Sequence, residues 1–166
     1  MKLRKLEIKD APYMLEWMHD KEVVKYMNVP FLDKEIRDCE LFILDSMSDK
    51  KNLHLAIVDD LDRYMGTVSL KNIDHMKKRA EFAIVLRQCA MGKGYGGFAI
   101  KENIKIGLKD MALDNIYWYV STENKRAIQF YKKMGYKEIK AVDKTLSVDE
   151  YSNQSLKWYM AGKHME

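Results

Sequence analysis

A chain of 166 residues, 47% of them hydrophobic, has apolar material for one core and too little for two ordinary domains, so a single domain over residues 1–166 is expected. Its formal charge of +4 comes from 29 basic residues interleaved with 25 acidic ones; this balance favours an anionic small ligand and excludes the one-signed stripe of a nucleic-acid surface. No window approaches the roughly 18 apolar residues of a membrane span, and Met1-Lys2-Leu3-Arg4-Lys5-Leu6-Glu7 has no apolar signal core, so the expectation is a cytoplasmic protein without membrane or nucleic-acid partners.

In chain order, residues 3–7 predict a first strand. Asp10 is expected to cap a helix that takes Pro12 in its first turn and carries Met14, Trp17 and Met18 at helical spacing. A short helical segment over 21–27 comes next. Asp33 is expected to cap another helix, whose Ile36, Ile43 and Met47 recur on one face up to the break at Ser48-Asp49-Lys50-Lys51. Alternation of Leu53, Leu55 and Ile57, a polar turn over 59–63 and a return over 65–70 predict a hairpin. The basic run His75-Met76-Lys77-Lys78-Arg79 reads as a solvated turn into a strand over 80–86. A helix over 95–111 presents Ile100, Ile104, Leu108 and Met111 on one face. A strand over 116–120, a helix over 124–134 closed by Gly135, and strands over 136–142 and 155–160 complete the chain. This alternation predicts an α/β core.

Met91-Gly92-Lys93-Gly94-Tyr95-Gly96-Gly97 stands at a strand-to-helix junction. The first N–H groups of a helix have no intrahelical partner, and the helix dipole places about half a positive charge there, so such a junction attracts phosphate. Gly92, Gly94 and Gly97 also satisfy G-x-G-x-x-G, but the acidic residue which that pattern places about 20 positions on is missing: the next strand reads Ile116-Tyr117-Trp118-Tyr119-Val120 and runs on to Ser121. Lys93 is followed by Gly94 rather than by Ser or Thr, which excludes a Walker-type loop. Two readings remain for the glycine run on its own, a phosphate cradle and a plain tight turn.

Taken with a second motif about 30 residues further along the chain, the loop resembles the GNAT acetyltransferase superfamily. Met91-Gly92-Lys93-Gly94-Tyr95-Gly96 is similar to the family signature Q/R-x-x-G-x-G/A, with Met91 where Gln or Arg is usual. The segment Asn124-Lys125-Arg126-Ala127-Ile128-Gln129-Phe130-Tyr131-Lys132-Lys133-Met134-Gly135-Tyr136 resembles its N-x-x-A-x-x-x-Y-x-x-x-G-F/Y element. Leu3-Arg4-Lys5-Leu6 with Asp10 and Glu16-Trp17, and the stretch 75–86, are similar to the branch containing spermidine and ribosomal-protein N-terminal acetyltransferases. The resemblance implies an α/β (α+β) single-domain fold: a mixed, mostly antiparallel, V-shaped sheet of six to seven strands flanked by helices, with strand 80–86 bulging away from strand 116–120. It further implies acetyl-CoA as co-substrate and a homodimer. Backbone groups of Ile84, Val85 and Leu86 would hold the pantetheine, Met91, Gly92, Lys93, Gly94, Tyr95, Gly96 and Gly97 the pyrophosphate, Asn124 the coenzyme from the other side, and Tyr131 would face the sulfur.

Attack on a thioester requires a neutral amine. A lysine-like amine with a pKa near 10.4 is neutral in only about one molecule in 2,500 at pH 7, a cost of roughly 4.6 kcal/mol, whereas an α-amino group near 8 costs only about 1.4 kcal/mol. Glu81 is the candidate base, directly or through a water, and Tyr131 the candidate acid for the departing thiolate. The same residues admit structural readings: Glu81 paired with Arg79 or a neighbouring lysine, Tyr131 as core, Asn124 as a helix cap. Asp33, Glu35, Asp38 and Glu40 read either as the wall of a polyamine cleft or as a solvated helix face. Cys39 and Cys89 read as reduced cysteines, and His19, His54, His75 and His164 lack ligand spacing, so no metal is expected. A catalytically silent acyl-CoA-binding domain is the alternative to the enzyme.

Overall fold

The computed structural model describes residues 1–140 and 155–163. Strands β1 (Lys2–Lys5), β2 (Leu53–Val58), β3 (Tyr64–Asp74), β4 (Arg79–Leu86), β5 (Asn115–Ser121), β6 (Glu138–Ile139) and β7 (Leu156–Gly162) form one sheet in the order β1-β2-β3-β4-β5-β7-β6. All neighbours are antiparallel except β4 and β5. Helices α1 (Ala11–Met18), α2 (Lys21–Val24) and α3 (Ile36–Ser46) precede β2, α4 (Tyr95–Lys105) joins β4 to β5, and α5 (Lys125–Lys133) follows β5. Among the described residues this is the expected single-domain fold.

Alternation along the strands sends side chains to two cores. Val68, Leu70, Phe82, Ile100, Ile116 and Trp118 pack on the α4 face, whereas Ala56, Val58, Tyr64, Met14, Trp17 and Ile43 pack on the α1 and α3 face. The parallel pairing that joins the two halves is short. It runs through Arg79↔Asn115, Ala80↔Ile116 and Glu81↔Tyr117, after which the two strands diverge. Phe82 and Trp118, the next residues along, meet edge to face with ring centroids 5.4 Å apart and close the base of the V. At its far end β4 is tied down by Arg87, which grips Glu16 of α1 with Nε–Oε2 at 2.6 Å and Nη2–Oε1 at 3.0 Å and donates to the Tyr64 carbonyl at 2.9 Å.

Several expected boundaries move. Asp10 precedes α1 without capping it, because its carboxylate accepts from Arg4 (2.8 and 2.9 Å) and from the Glu7 N–H (2.9 Å). Asp33 lies in a 3₁₀ turn, Phe31–Asp33, and α3 starts instead on a reciprocal capping box between Glu35 and Asp38. The second helical segment is one turn long, and β3 extends to Asp74. The helix expected over 95–111 stays α-helical only to Lys105 and widens into a π turn, Ile106–Asp110. There the backbone of Gly107 presses on Ile116 of β5, so closely that a Cβ would lie 2.6 Å from Ile116 Cδ1. Of the strand expected over 136–142, Glu138–Ile139 pairs with β7, and residues 141 and 142 lie outside the described residues.

Candidate active site

The divergence of β4 from β5 opens a cleft of about 780 Å³. One wall is β4 from Glu81 to Leu86; the facing wall is β5 from Trp118 to Ser121 with the inner face of α5. Met91, Gly92, Gly94, Gly96 and Gly97 close one end, and Val23, Tyr26, Met27 and Lys71 the other. Eleven of the thirteen expected site residues therefore share this cleft: Glu81, Ile84, Val85, Leu86, Met91, Gly92, Gly94, Gly96, Gly97, Asn124 and Tyr131. Lys93 and Tyr95 are not among its described lining residues: Lys93 is exposed, and the Tyr95 ring packs against the core.

At the glycine end, Gly94 is the N-cap of α4 with φ 90° and ψ −4°, a left-handed conformation that penalises any side chain. Its carbonyl accepts the first helical bond, from Phe98 N–H at 3.1 Å, and the N–H groups of the first turn open at the cleft mouth. Gly96 serves a different need. A Cβ there would meet the Phe130 ring at 3.2 Å, so its bareness lets the first turn of α4 seat on α5 and brings both sequence motifs together. Lys125, Arg126 and Lys133 of α5 also line the cleft. They add positive charge to it that the motif, which singles out only Asn and Tyr on that helix, does not disclose.

Asn124 caps α5, accepting the Ala127 N–H on Oδ1 at 3.2 Å, while also lining the cleft. Capping and ligand contact are thus compatible at one residue. Tyr131, one helical turn beyond Ala127, is 6% exposed. Its ring packs on Trp118, Phe130 and Tyr159 with centroids 5.6, 5.2 and 5.0 Å away, yet the residue reaches the cleft. Tyr131 is thus at once a core residue and a lining residue of the cleft. Trp118, also on the cleft wall, keeps its indole N–H buried with no hydrogen-bond partner among the described residues.

Glu81 is 4% exposed at the last β4–β5 pair. Its carboxylate lies 3.3 Å from the ammonium of Lys71, its cross-strand partner in β3, and accepts from Asn72 Nδ2 at 3.4 Å. On its other side stands Tyr117, whose phenol is pushed up to about 12 by burial and by the negative charge of Glu81. The next inward residue of β3, Ser69, shares a 2.6 Å hydrogen bond with His54 Nδ1, and the imidazole packs at a tilt against the Phe42 ring, centroids 4.7 Å apart. Burial holds His54 below its ordinary pKa. Asp33, Glu35, Asp38 and Glu40, expected as an alternative to form a polyamine cleft, are not among the described lining residues; Glu35 and Asp38 cap α3. Among the described residues no three His, Cys, Asp or Glu side chains gather into a metal site, and no helix is long and apolar enough to cross a membrane.

The profile of the acetyltransferase (GNAT) domain matches residues 1–137, a span that includes both walls of the cleft and its glycine end. The chain belongs to the GNAT acetyltransferase family. Among its relatives, the GNAT chain is 32% identical over 139 residues to the uncharacterized N-acetyltransferase p20 of Bacillus licheniformis, covering 82% of this chain and 78% of that protein. It is 28% identical over 136 residues to the spermidine N(1)-acetyltransferase of Escherichia coli K12, with 82% and 72% covered. The crystal structure of the Vibrio cholerae spermidine N-acetyltransferase in complex with CoA and spermine superposes with a TM-score of 0.80 over 97% of this chain and 94% of that one, at 21% identity. This GNAT protein is an N-acetyltransferase, and its sheet, splayed between the only parallel pair of strands among the described residues, has the family fold.

Proposed function

We propose that the cleft transfers an acetyl group from acetyl-CoA to a primary amine by direct attack in a ternary complex. The observation that carries this reading is that a glycine-capped helix start, a strand edge without a partner and a caged tyrosine all line one continuous space. The left-handed Gly94 and the bare Gly92 fit a diphosphate against free N–H groups, with Lys125, Arg126 and Lys133 supplying counter-charge. Backbone groups of Ile84, Val85 and Leu86 hold the pantetheine amides, and Asn124 contacts the coenzyme from the opposite wall. When bound, acetyl-CoA supplies the activated acyl group. Tyr131 donates a hydrogen bond or a proton to the departing sulfur, and Glu81 accepts the amine proton directly or through a water. A homodimer, which the resemblance implies, is carried forward within the same proposal.

The test is an acceptor screen that follows thiol release from acetyl-CoA with spermidine, an N-terminal peptide and an aminosugar, spermidine leading because two of the relatives bear its name. Release with any amine supports the enzyme. Coenzyme binding by calorimetry with no release from a broad amine panel would leave an acyl-CoA-binding domain instead.

A further inference from the structure

Two residues of β3, Asn72 and Ile73, stand against the single residue Ala80 of β4, because the register passes from Lys71↔Glu81 to Asp74↔Arg79. This is a β-bulge, and its first residue is left-handed, Asn72 having φ 52°. A common form of bulge puts glycine at that position, where a side chain is strained. Here the position carries an asparagine, a residue that tolerates the conformation and brings an amide with it.

Backbone and side chain of this asparagine are both engaged. Its N–H donates to Asn52 Oδ1 at 2.9 Å. Asn52 is itself held by Asp49, whose Oδ1 accepts the Asn52 N–H and whose Oδ2 accepts Nδ2, each at 3.0 Å. The Ile73 N–H donates to the Lys51 carbonyl at 2.8 Å, so the bulge is tied to the segment before β2. On the other side Asn72 Nδ2 donates to Glu81 Oε1 at 3.4 Å, while Lys71 Nζ lies 3.3 Å from Oε2. Each oxygen of the carboxylate thus has its own neighbour on β3. With about four lone-pair sites in all, the carboxylate keeps others for an incoming amine or water. Asn72 is not among the described lining residues of the cleft, whereas Glu81 is, so any effect of Asn72 on the reaction passes through Glu81.

We propose that Asn72 is a positioning residue for the transfer: the bulge aims its amide at Glu81 and holds the carboxylate in the orientation from which it takes the acceptor's proton. Bulges re-aim side chains beside active sites, and a left-handed position filled by a residue other than glycine is a place where the side chain has a use. The inference rests on the acetyltransferase reading above, with Glu81 as proton acceptor, and adds the residue that orients it. A misaligned base lowers the rate and leaves coenzyme affinity alone.

The experiment uses two substitutions that the left-handed backbone accepts. Asn72→Gly removes the amide and relieves the backbone, and Asn72→Asp keeps the shape but sets a second carboxylate against Glu81. Thiol release from acetyl-CoA is followed with the fastest acceptor among spermidine, an N-terminal peptide and an aminosugar. For Asn72→Gly the expected result is a turnover number lower by about tenfold, with the melting temperature unchanged or raised and acetyl-CoA affinity by calorimetry unchanged. For Asn72→Asp the acidic limb of the pH profile of kcat should move up by about one pH unit, because like charges disfavour ionisation. The other groups around Glu81 are common to parent and variants: Lys71 on β3, Tyr117 on β5, and Arg79 two positions back on β4, opposite Asp74. Parent turnover in folded Asn72→Gly, or an acidic limb unmoved in folded Asn72→Asp, overturns the positioning role while the enzyme stands. Parent turnover in Glu81→Gln removes the base and this inference with it, again leaving the enzyme. No thiol release with any amine of a broad panel overturns the acetyltransferase reading and this inference together.

Discussion

The two ends of the cleft are built from different material. The coenzyme end is made of backbone: the free N–H groups at the start of α4, the open edge of β4 and the cap of α5, with side chains mainly absent at Gly92, Gly94 and Gly96. The acceptor end is made of side chains brought together from α1, the loop after α2, β3 and β4. On the proposed assignment, backbone geometry would bind what every acetyl donor of this class shares, and side chains would select the amine. Substitutions at the two ends should therefore separate: one end changes coenzyme affinity, the other acceptor choice, and only the residues between them change the chemical step.

Tyr131 stands at that junction and carries the largest expected effect. Tyr131→Phe preserves the ring and its packing on Trp118 and Tyr159, so a large loss reports the hydroxyl. General acid assistance is worth about 10² to 10⁴ in rate, and the turnover number should fall by that much, with acetyl-CoA affinity within a few-fold of the parent. A fall smaller than about fivefold with the best acceptor would return Tyr131 to the core and assign the proton to another group.

Gly94→Val probes the coenzyme end alone. A side chain at φ 90° strains the cap, and its methyls stand where the phosphates would approach, although the Cβ itself meets only Met1 Cε at 3.6 Å. Acetyl-CoA affinity is expected to drop about tenfold or more, near 1.4 kcal/mol, while relative rates among acceptors stay fixed. An unchanged calorimetric affinity in the folded variant would remove the phosphates from this loop.

Asn124→Ala should show two effects at once. Loss of the Ala127 N–H bond costs about 1 kcal/mol of stability, and loss of a coenzyme contact raises the Michaelis constant for acetyl-CoA. A lowered melting temperature with an unchanged Michaelis constant would make the residue a cap only.

The smallest effect belongs to His54 on β2, which lies behind the cleft and hydrogen-bonds Ser69. Burial lowers its pKa from 6.5, Lys71 on the neighbouring strand adds to the fall, and Asp49 opposes it. As pH falls, the unfolded chain takes up the proton first, so stability present above about 6.5 is lost as the pH drops through the lower folded value. The melting temperature should therefore decline more steeply between about pH 7 and pH 5 in the parent than in His54→Gln. Parallel declines would mean that the imidazole titrates normally.

This division also explains what could be read from the chain. Gly92, Gly94, Gly96, Asn124 and Tyr131 sit in two contiguous motifs because a backbone cradle and a helix face are local structures with local codes. Trp17, Phe31, Val29 and Ser69 carry no such code. They meet only because the hairpin of β3 and β4 lays its outer face against α1 and the segment after α2, an arrangement that periodicity does not encode. Boundaries failed where tertiary contact overrode a local signal: Asp10 bonds to Arg4 in place of the helix it precedes, and α4 opens into a π turn where Gly107 meets Ile116. Asp33, Glu35, Asp38 and Glu40 admitted two readings from sequence, a cleft wall and a solvated helix face, because charge count alone does not separate them. In the structure Glu35 and Asp38 form the capping box of α3, and none of the four is among the described residues that line the cleft.

The short β4–β5 ladder has one further consequence. Beyond Glu81 and Tyr117, β4 runs on through Phe82 to Leu86 without pairing to β5, so a sheet interior contains an edge. Such an edge is normally a hazard, a template on which another extended chain can dock through its amides. Here it faces the inside of a V, where Trp118, Val120 and α5 stand opposite and restrict what can lie along it. A coenzyme arm with peptide-like amides would then be recognised as strands recognise one another, by β-augmentation, with little regard for side chains. Recognition of that kind would make no demand on the side chains of this edge, which answer instead to packing, as Phe82 does against Trp118. A proline within 82–86 would be the substitution the edge tolerates least, since it deletes an amide and breaks a strand that is also paired to β3.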